Sequence, residues 1–236
     1  AGGLRIINNA VSTIVGNEIV GNAAQNSGGG IDVDCCGGST PLVAQNVVVG
    51  NIAGAYGGGI IVNATNAIVV NNILAGNQAS RGATAWLGGM ASFPVSTTLV
   101  HNTLVGGPPG GEGVWVGAYV TAKLVNNVIV SHTMGITNTG PASSTVAADH
   151  TLFYGNDVDY GPGVGSANEV GGDPLFVDPD HGDYHIRPGS AAIDQGTDAG
   201  VTSDVDGDPR PIGPLPDLGA DEALPRMFLP LVLRTI

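Results

Sequence analysis

Charge is scarce in this chain of 236 residues: Asp, Glu, Lys and Arg make up 11% of it, and Lys123 is the single lysine. The basic side is the poorer, with 7 Lys and Arg against 20 Asp and Glu and a net charge of −13. Nucleic acid and anionic membrane surfaces both call for a basic patch, so neither is an expected partner. No apolar run reaches 18 residues, which excludes a membrane-spanning helix. No stretch carries a helical apolar period over three turns, which leaves strands as the regular structure. Cysteine is limited to the adjacent pair Cys35 and Cys36. A vicinal disulfide there is strained, because consecutive Cα atoms lie about 3.8 Å apart, below the usual disulfide range. Intermolecular bonds and two free thiols are the other readings of the pair.

What is abundant is glycine, 39 residues, together with Val, Ile, Thr and Asn. Those residues recur in phase. Leu124-Val125-Asn126-Asn127-Val128-Ile129-Val130-Ser131-His132 is one copy of a phrase built from a β-type run, an Asn, a second β-type run and a turn. Other copies centre on Asn17, Asn46, Asn72 and Asn102, and a degenerate one carries His150 in the Asn slot. The first four spacings are 29, 26, 30 and 25 residues. Repetition at 20–50 residues marks a solenoid. A second phrase, Gly28-Gly29-Gly30-Ile31-Asp32-Val33, is answered by Gly57–Val62 and then by runs beginning at Gly82, Gly113 and Gly135. The expected fold is all-β: a right-handed, single-stranded parallel β-helix of about seven coils. Ile19, Val48, Leu74, Leu104, Ile129 and Leu152 are its expected inner stack. The Asn column is expected to be architectural, since stacked carboxamides bond to one another and Asn tolerates left-handed backbone at a bend. Residues 1–156 form the expected coils, 157–223 irregular coils and loops completing the solenoid, and 224–236 an apolar tail.

Two C-terminal phrases carry a resemblance. Asp173–Pro179 with Gly182–Gly196, and Asp204–Pro211 with Asp217–Glu222, resemble the C-terminal segments of bacterial secreted right-handed β-helix proteins of the pectate-lyase-like superfamily, in particular the choice-of-anchor Q type. The resemblance covers about 50 residues and implies the fold and an extracellular, often surface-attached life; it does not imply catalysis. The chain begins at Ala1 without Met, in sequence that is already repeat-like, so a leader or a longer N-terminal region is expected to precede it. Composition points the same way, to a secreted or cell-surface protein.

Candidate sites follow from the period of the strands. With Ile31/Val33, Ile60/Val62, Ala85/Leu87 and Val114/Val116 facing in, Asp32, Ile61, Trp86 and Trp115 face out, and both tryptophans of the protein share one surface. Such a stripe suits a protein interface or a sugar ring, whereas a register shifted by one makes both rings core. Asp204, Asp206 and Asp208 alternate around Gly207 and supply hard oxygen ligands suited to calcium, or else close a self-capped turn. Asp178, Asp180, His181, Asp183 and His185 crowd another loop with metal-like spacing, or form a plain turn and strand. A lyase requires a basic cluster that the scattered arginines do not make. A hydrolase requires converging carboxylates, yet one coil beyond Asp32 and Asp34 stand Ile61 and Asn63. The leading expectation is therefore a structural or adhesive element. An open N-terminal coil and the tail residues Phe228, Leu229, Leu231, Val232 and Leu233 point to head-to-tail self-association into a filament or surface layer. A polysaccharide-active or glycan-binding protein is the alternative.

Overall fold

A computed structural model describes residues 1–7, 11–34, 39–108, 110–141 and 143–223. Cys35, Cys36, Phe228, Leu229, Leu231, Val232 and Leu233 lie outside the described residues, and with them the readings of the cysteine pair and of the 224–236 tail.

Each repeat contributes three short strands, and equivalent strands of successive repeats pair in parallel to build three seven-stranded sheets. The first sheet holds Leu4–Ile7, Ile31–Asp34, Ile60–Asn63, Ala85–Gly88, Glu112–Val116, Met134–Asn138 and Val158–Tyr160. The second holds Thr13–Val15, Leu42–Ala44, Ile68–Val70, Val95–Val100, Val120–Val125, Thr145–Asp149 and Val164–Ala167. The third runs from Glu18–Val20 through Val47–Val49, Ile73–Ala75, Thr103–Val105, Val128–Val130 and Leu152–Tyr154 to Val170–Gly171. This is a parallel β-solenoid of seven layers. The one helical turn among the described residues is a 3₁₀ turn at Pro179–His181.

The interior is a continuous column of β-branched and Leu side chains. Ile31, Val33, Ile60, Val62, Leu87, Val114 and Val116 are at most 1% exposed. In the third sheet Ile19, Val48, Leu74, Leu104 and Ile129 stand in register. Burying each such side chain contributes roughly 1.5–3 kcal/mol. At the sixth layer the expected stack slips by one residue. Ile129 pairs with Phe153, and Leu152 pairs with Val128 on the opposite face. The same slip moves His150 out of the Asn slot, because Leu152 N–H donates to the Asn127 carbonyl, which places Thr151 beside Asn127. Unlike the five Asn copies, this repeat offers no Asn to anchor the alignment, and a period-two pattern tolerates either register until the partner strand is known.

The Asn column is a buried ladder. Each Asn Nδ2 donates to the Oδ1 of the next: Asn17 to Asn46 at 2.9 Å, Asn46 to Asn72 at 2.9 Å, Asn72 to Asn102 at 2.9 Å and Asn102 to Asn127 at 3.1 Å. The same Oδ1 atoms also accept the backbone N–H of the preceding Asn. Left-handed backbone, expected of these Asn residues, belongs instead to the residue before each: Gly16, Gln45, Asn71, His101 and Asn126, with φ between 51° and 67°. The ladder Asn turns its carboxamide inward while its predecessor makes the bend. A shorter ladder, Asn22 to Asn51 to Asn77, closes the next corner.

Residues 172–223 do not add layers; they lie along the outside of the third sheet. Tyr184, Ile186, Ala192, Leu218 and Ala220 pack on its outer residues Ile73, Val105, Val128, Val130 and Leu152 in a second apolar cluster. Side chains of the left-handed corner hold this cover down. Gln45 Nε2 donates to the Asp204 carbonyl, Asn71 Nδ2 to the Ser203 carbonyl and Asn126 Nδ2 to the Thr197 carbonyl.

Candidate functional site

The outer face of the first sheet carries one column of unlike side chains. Arg5 pairs with Asp32, Asp32 with Ile61, Ile61 with Trp86, Trp86 with Trp115, and Trp115 with Thr137. Ala85, Leu87, Val114 and Val116 point into the core, so both indoles stand on the opposite side of the sheet. The turns leading into these strands make room for the column. Gly28, Gly57 and Gly82 have φ of 68°, 61° and 59°, and a Cβ on them would meet Asp32, Ile60 or Ala85 at 2.5, 2.8 and 2.6 Å. Two further glycines let the indoles lie down. A Cβ on Gly88 would fall 2.0 Å from Trp86 Cη2, and one on Gly117 would fall 2.8 Å from Trp115 Cζ3.

The result is an aromatic row beside a groove. The Trp86 and Trp115 rings stack with centroids 5.6 Å apart and planes 10° from parallel. Tyr56 leans on Trp86 at 5.5 Å, and the Arg81 guanidinium carbon sits 5.8 Å from the Trp115 ring and 6.0 Å from that of Tyr56. Towards the first layers the surface opens into a groove of about 710 Å³. Its floor is Asp32, Asp34, Ile61 and Asn63, and its wall is the stacked turns at Gln25–Ser27 and Tyr56, with Trp86 at the far end. Arg5 binds both acids, Nε to Asp32 at 3.1 Å and Nη2 to Asp34 at 3.2 Å, and Asn63 Nδ2 donates to Asp34 at 3.0 Å. Burial lifts the Asp32 carboxyl above its ordinary value against the pull of Arg5. Ile61 and Asp32 are each only 5% exposed, whereas the rings are half-buried. Of the residues flagged by period alone, the structure brings Ile61 and Trp86 to the groove and sets Trp115 beyond it. Sequence reasoning missed Tyr56 and Arg81. The recurring Trp-x-Gly was the available signal that each ring lies flat over its own strand.

The Asp-rich loop is built differently. Asp204 is fully buried, its Oδ1 accepts the N–H of Asp206 at 3.0 Å and of Asp208 at 2.9 Å, and its Oδ2 accepts the N–H of Glu222 at 3.0 Å. Asp204 therefore closes the turn. Asp206 reaches away to His185, with Oδ2 2.7 Å from Nε2. Of the other loop residues, His181 pairs with Asp178 in solvent and Asp183 bonds His185 Nδ1.

Beneath that loop lies a buried polar knot. Arg210 Nη1 is 3.2 Å from the Glu222 carboxylate, donates to the Asp217 carbonyl at 2.6 Å and lies 2.8 Å from His101 Nδ1; Nη2 donates to the Gly219 carbonyl at 3.1 Å. Burial and the neighbouring Arg210 charge hold His101 neutral, with its pKa lowered to about 3. Burial likewise lowers His132 to about 4, where its Nε2 meets Thr84 Oγ1 at 2.9 Å. Asp217 is raised to about 6 by burial. Arg210, His101, Asp217 and Glu222 bind backbone and one another, which makes the knot a fastening for the cover, whereas His132 lies apart from it among the layers.

No family model, curated protein or solved structure matches the chain. Of the likeness between its C-terminal phrases and secreted β-helix proteins, the architecture is what the structure supports. No helix among the described residues is long and apolar enough to cross a membrane.

Proposed function

We propose that this chain is an extracellular carbohydrate-binding β-solenoid whose groove and aromatic row hold a neutral polysaccharide. The observation that carries this reading is Trp86 at the end of a groove rich in hydrogen-bonding side chains, stacked on Trp115 just beyond it. Aromatic faces bury the apolar C–H faces of a pyranose, and amide, carboxylate and guanidinium groups serve its hydroxyls. Asp32 and Asp34 outnumber Arg5 in the groove, which favours an uncharged glycan over a uronate. Both acids are engaged by Arg5, which suits binding more than acid–base chemistry. A place among secreted pectate-lyase-like proteins of choice-of-anchor Q type fits this reading and remains part of the proposal.

The test is affinity electrophoresis against a panel of neutral and uronic acid polysaccharides, with wild type, Trp86→Ala and Trp115→Ala run together. Retardation by a neutral glycan that Trp86→Ala abolishes supports the reading; equal mobility of all three proteins on every glycan overturns it. New unsaturated or reducing ends in the same incubations would instead report a lyase or a hydrolase.

End-to-end self-association is a separate proposal. It is favoured by the strand edges at both ends of each sheet, which have no partner among the described residues. Deleting residues 224–236 and measuring particle size across a concentration series tests it; size independent of concentration in the intact chain overturns it.

A further inference from the structure

The two loops that looked like separate metal candidates in sequence meet in space. His185, on the strand Asp183–Ile186, faces Asp206 from the Asp-rich loop and Asp221 from the segment of the buried knot, beside Glu222. Each offers one ligand atom, and these atoms all lie within 4.8 Å of one another. Two further features are those of a prepared site. The Asp183 carboxylate bonds His185 Nδ1, which turns Nε2 towards Asp206 and Asp221; a carboxylate behind a ligating imidazole is the usual second layer of a metal site. Asp221 is oriented in turn, its Oδ2 accepting the Ile186 N–H at 2.7 Å. The three ligands also border an open cavity of about 260 Å³, also lined by Arg187, Asp208 and Glu222, which leaves room for water or another ligand to complete the coordination.

We propose that His185, Asp206 and Asp221 bind a divalent transition-metal ion of the zinc class. One imidazole nitrogen and two carboxylates suit zinc or manganese better than calcium, which takes oxygen ligands in greater number. Metal–ligand bonds of about 2.0–2.2 Å set tetrahedral ligand atoms roughly 3.4 Å apart, so an ion parts His185 Nε2 from Asp206 Oδ2, now 2.7 Å apart, and draws in the wider spacings of the set. The exposed Asp206, on a loop, supplies that movement. The ion pins three separate parts of the cover, the strand, the Asp-rich loop and the knot segment, to one another. This inference is independent of the groove, which lies on the first sheet.

Metal-stripped, untagged protein is titrated calorimetrically with Zn²⁺, Mn²⁺ and Ca²⁺, and the melting temperature is followed in parallel. The expected result is one equivalent of Zn²⁺ bound at least tenfold more tightly than Ca²⁺, with a rise in melting temperature. Asp206→Asn, which alters an exposed residue, is expected to weaken Zn²⁺ at least tenfold, whereas His181→Ala, which removes a surface imidazole elsewhere, leaves binding unchanged. Absence of stoichiometric Zn²⁺ binding, Ca²⁺ bound more tightly than Zn²⁺, or equal Zn²⁺ affinity in wild type and Asp206→Asn would each overturn the proposal. Glycan retention by the metal-stripped protein reports on the groove separately.

Discussion

Gly88 and Trp86 are fitted to each other: the indole lies where a side chain on Gly88 would be, its Cη2 2.0 Å from the position of a Cβ. The ring is held flat by the absence of a neighbour, so the row can be disturbed without touching an aromatic residue. Gly88→Ala is expected to tip the Trp86 ring off Trp115 and weaken glycan binding about tenfold, equivalent to about 1.4 kcal/mol. Tryptophan fluorescence and affinity electrophoresis read the two halves of this prediction; unchanged emission and binding would refute it.

The Asn ladder should be graded from its end to its middle. Asn72 donates to Asn102, Val43 and Val70 and accepts from Asn46, and all but the part-buried Val70 bond are out of solvent. Its truncation in Asn72→Ala strands several of these groups, at an expected cost of about 3–5 kcal/mol. Asn17, exposed at the first layer, should cost about 1 kcal/mol or less on the same change. Urea denaturation of both variants measures the contrast.

Acid should loosen the fold before ordinary carboxylates titrate. His101 and His132 have folded pKa values lowered to about 3 and about 4, so their contribution is intact above the unfolded value of about 6.5 and is lost as pH falls towards the folded values. Asp217, raised to about 6, acts in the opposite sense between 6 and its ordinary value of 3.8. Asp32 and Asp221, also raised by burial, act in the same sense as Asp217; the two histidine shifts are larger and span the whole window, so the melting temperature should fall between pH 6.5 and pH 4. Asn156 Oδ1 accepts the His132 N–H at 2.9 Å, as the ladder Oδ1 atoms accept from the ladder residue before them, so His132→Asn puts a carboxamide in line with Asn156 and should flatten that slope, as thermal melts at several pH values will show.

Arg210 tests the cover. Arg210→Met leaves the Glu222 carboxylate, 1% exposed, without its cation, at an expected cost of about 3–5 kcal/mol. Limited proteolysis should then cut within 187–223 while the layered sheets stay resistant.

The layers were legible because their signals are local and repeated: a glycine turn, an alternating strand, an Asn at fixed phase. Where the repeat lost its Asn, at Thr151, the reading slipped by a residue. The third sheet held a clue to the cover that went unread. Val128, Ile129 and Val130 are all apolar and all buried, and a strand apolar on both faces must be covered on both. The sites were less legible because they are assembled across distance. Arg210 meets His101 across 109 positions, and His185 meets Asp206 across 21. Neither spacing belongs to any repeat, and neither pair announces itself by composition.

Stacked repeats in contact only with their neighbours can melt one at a time from either end. Here Gln45, Asn71, His101 and Asn126, from the second, third, fourth and fifth layers, all hold the same C-terminal segment. That segment acts as a lengthwise splint. It couples layers that never touch, so the middle of the rod should unfold in a single sharp transition while only the flanking turns fray.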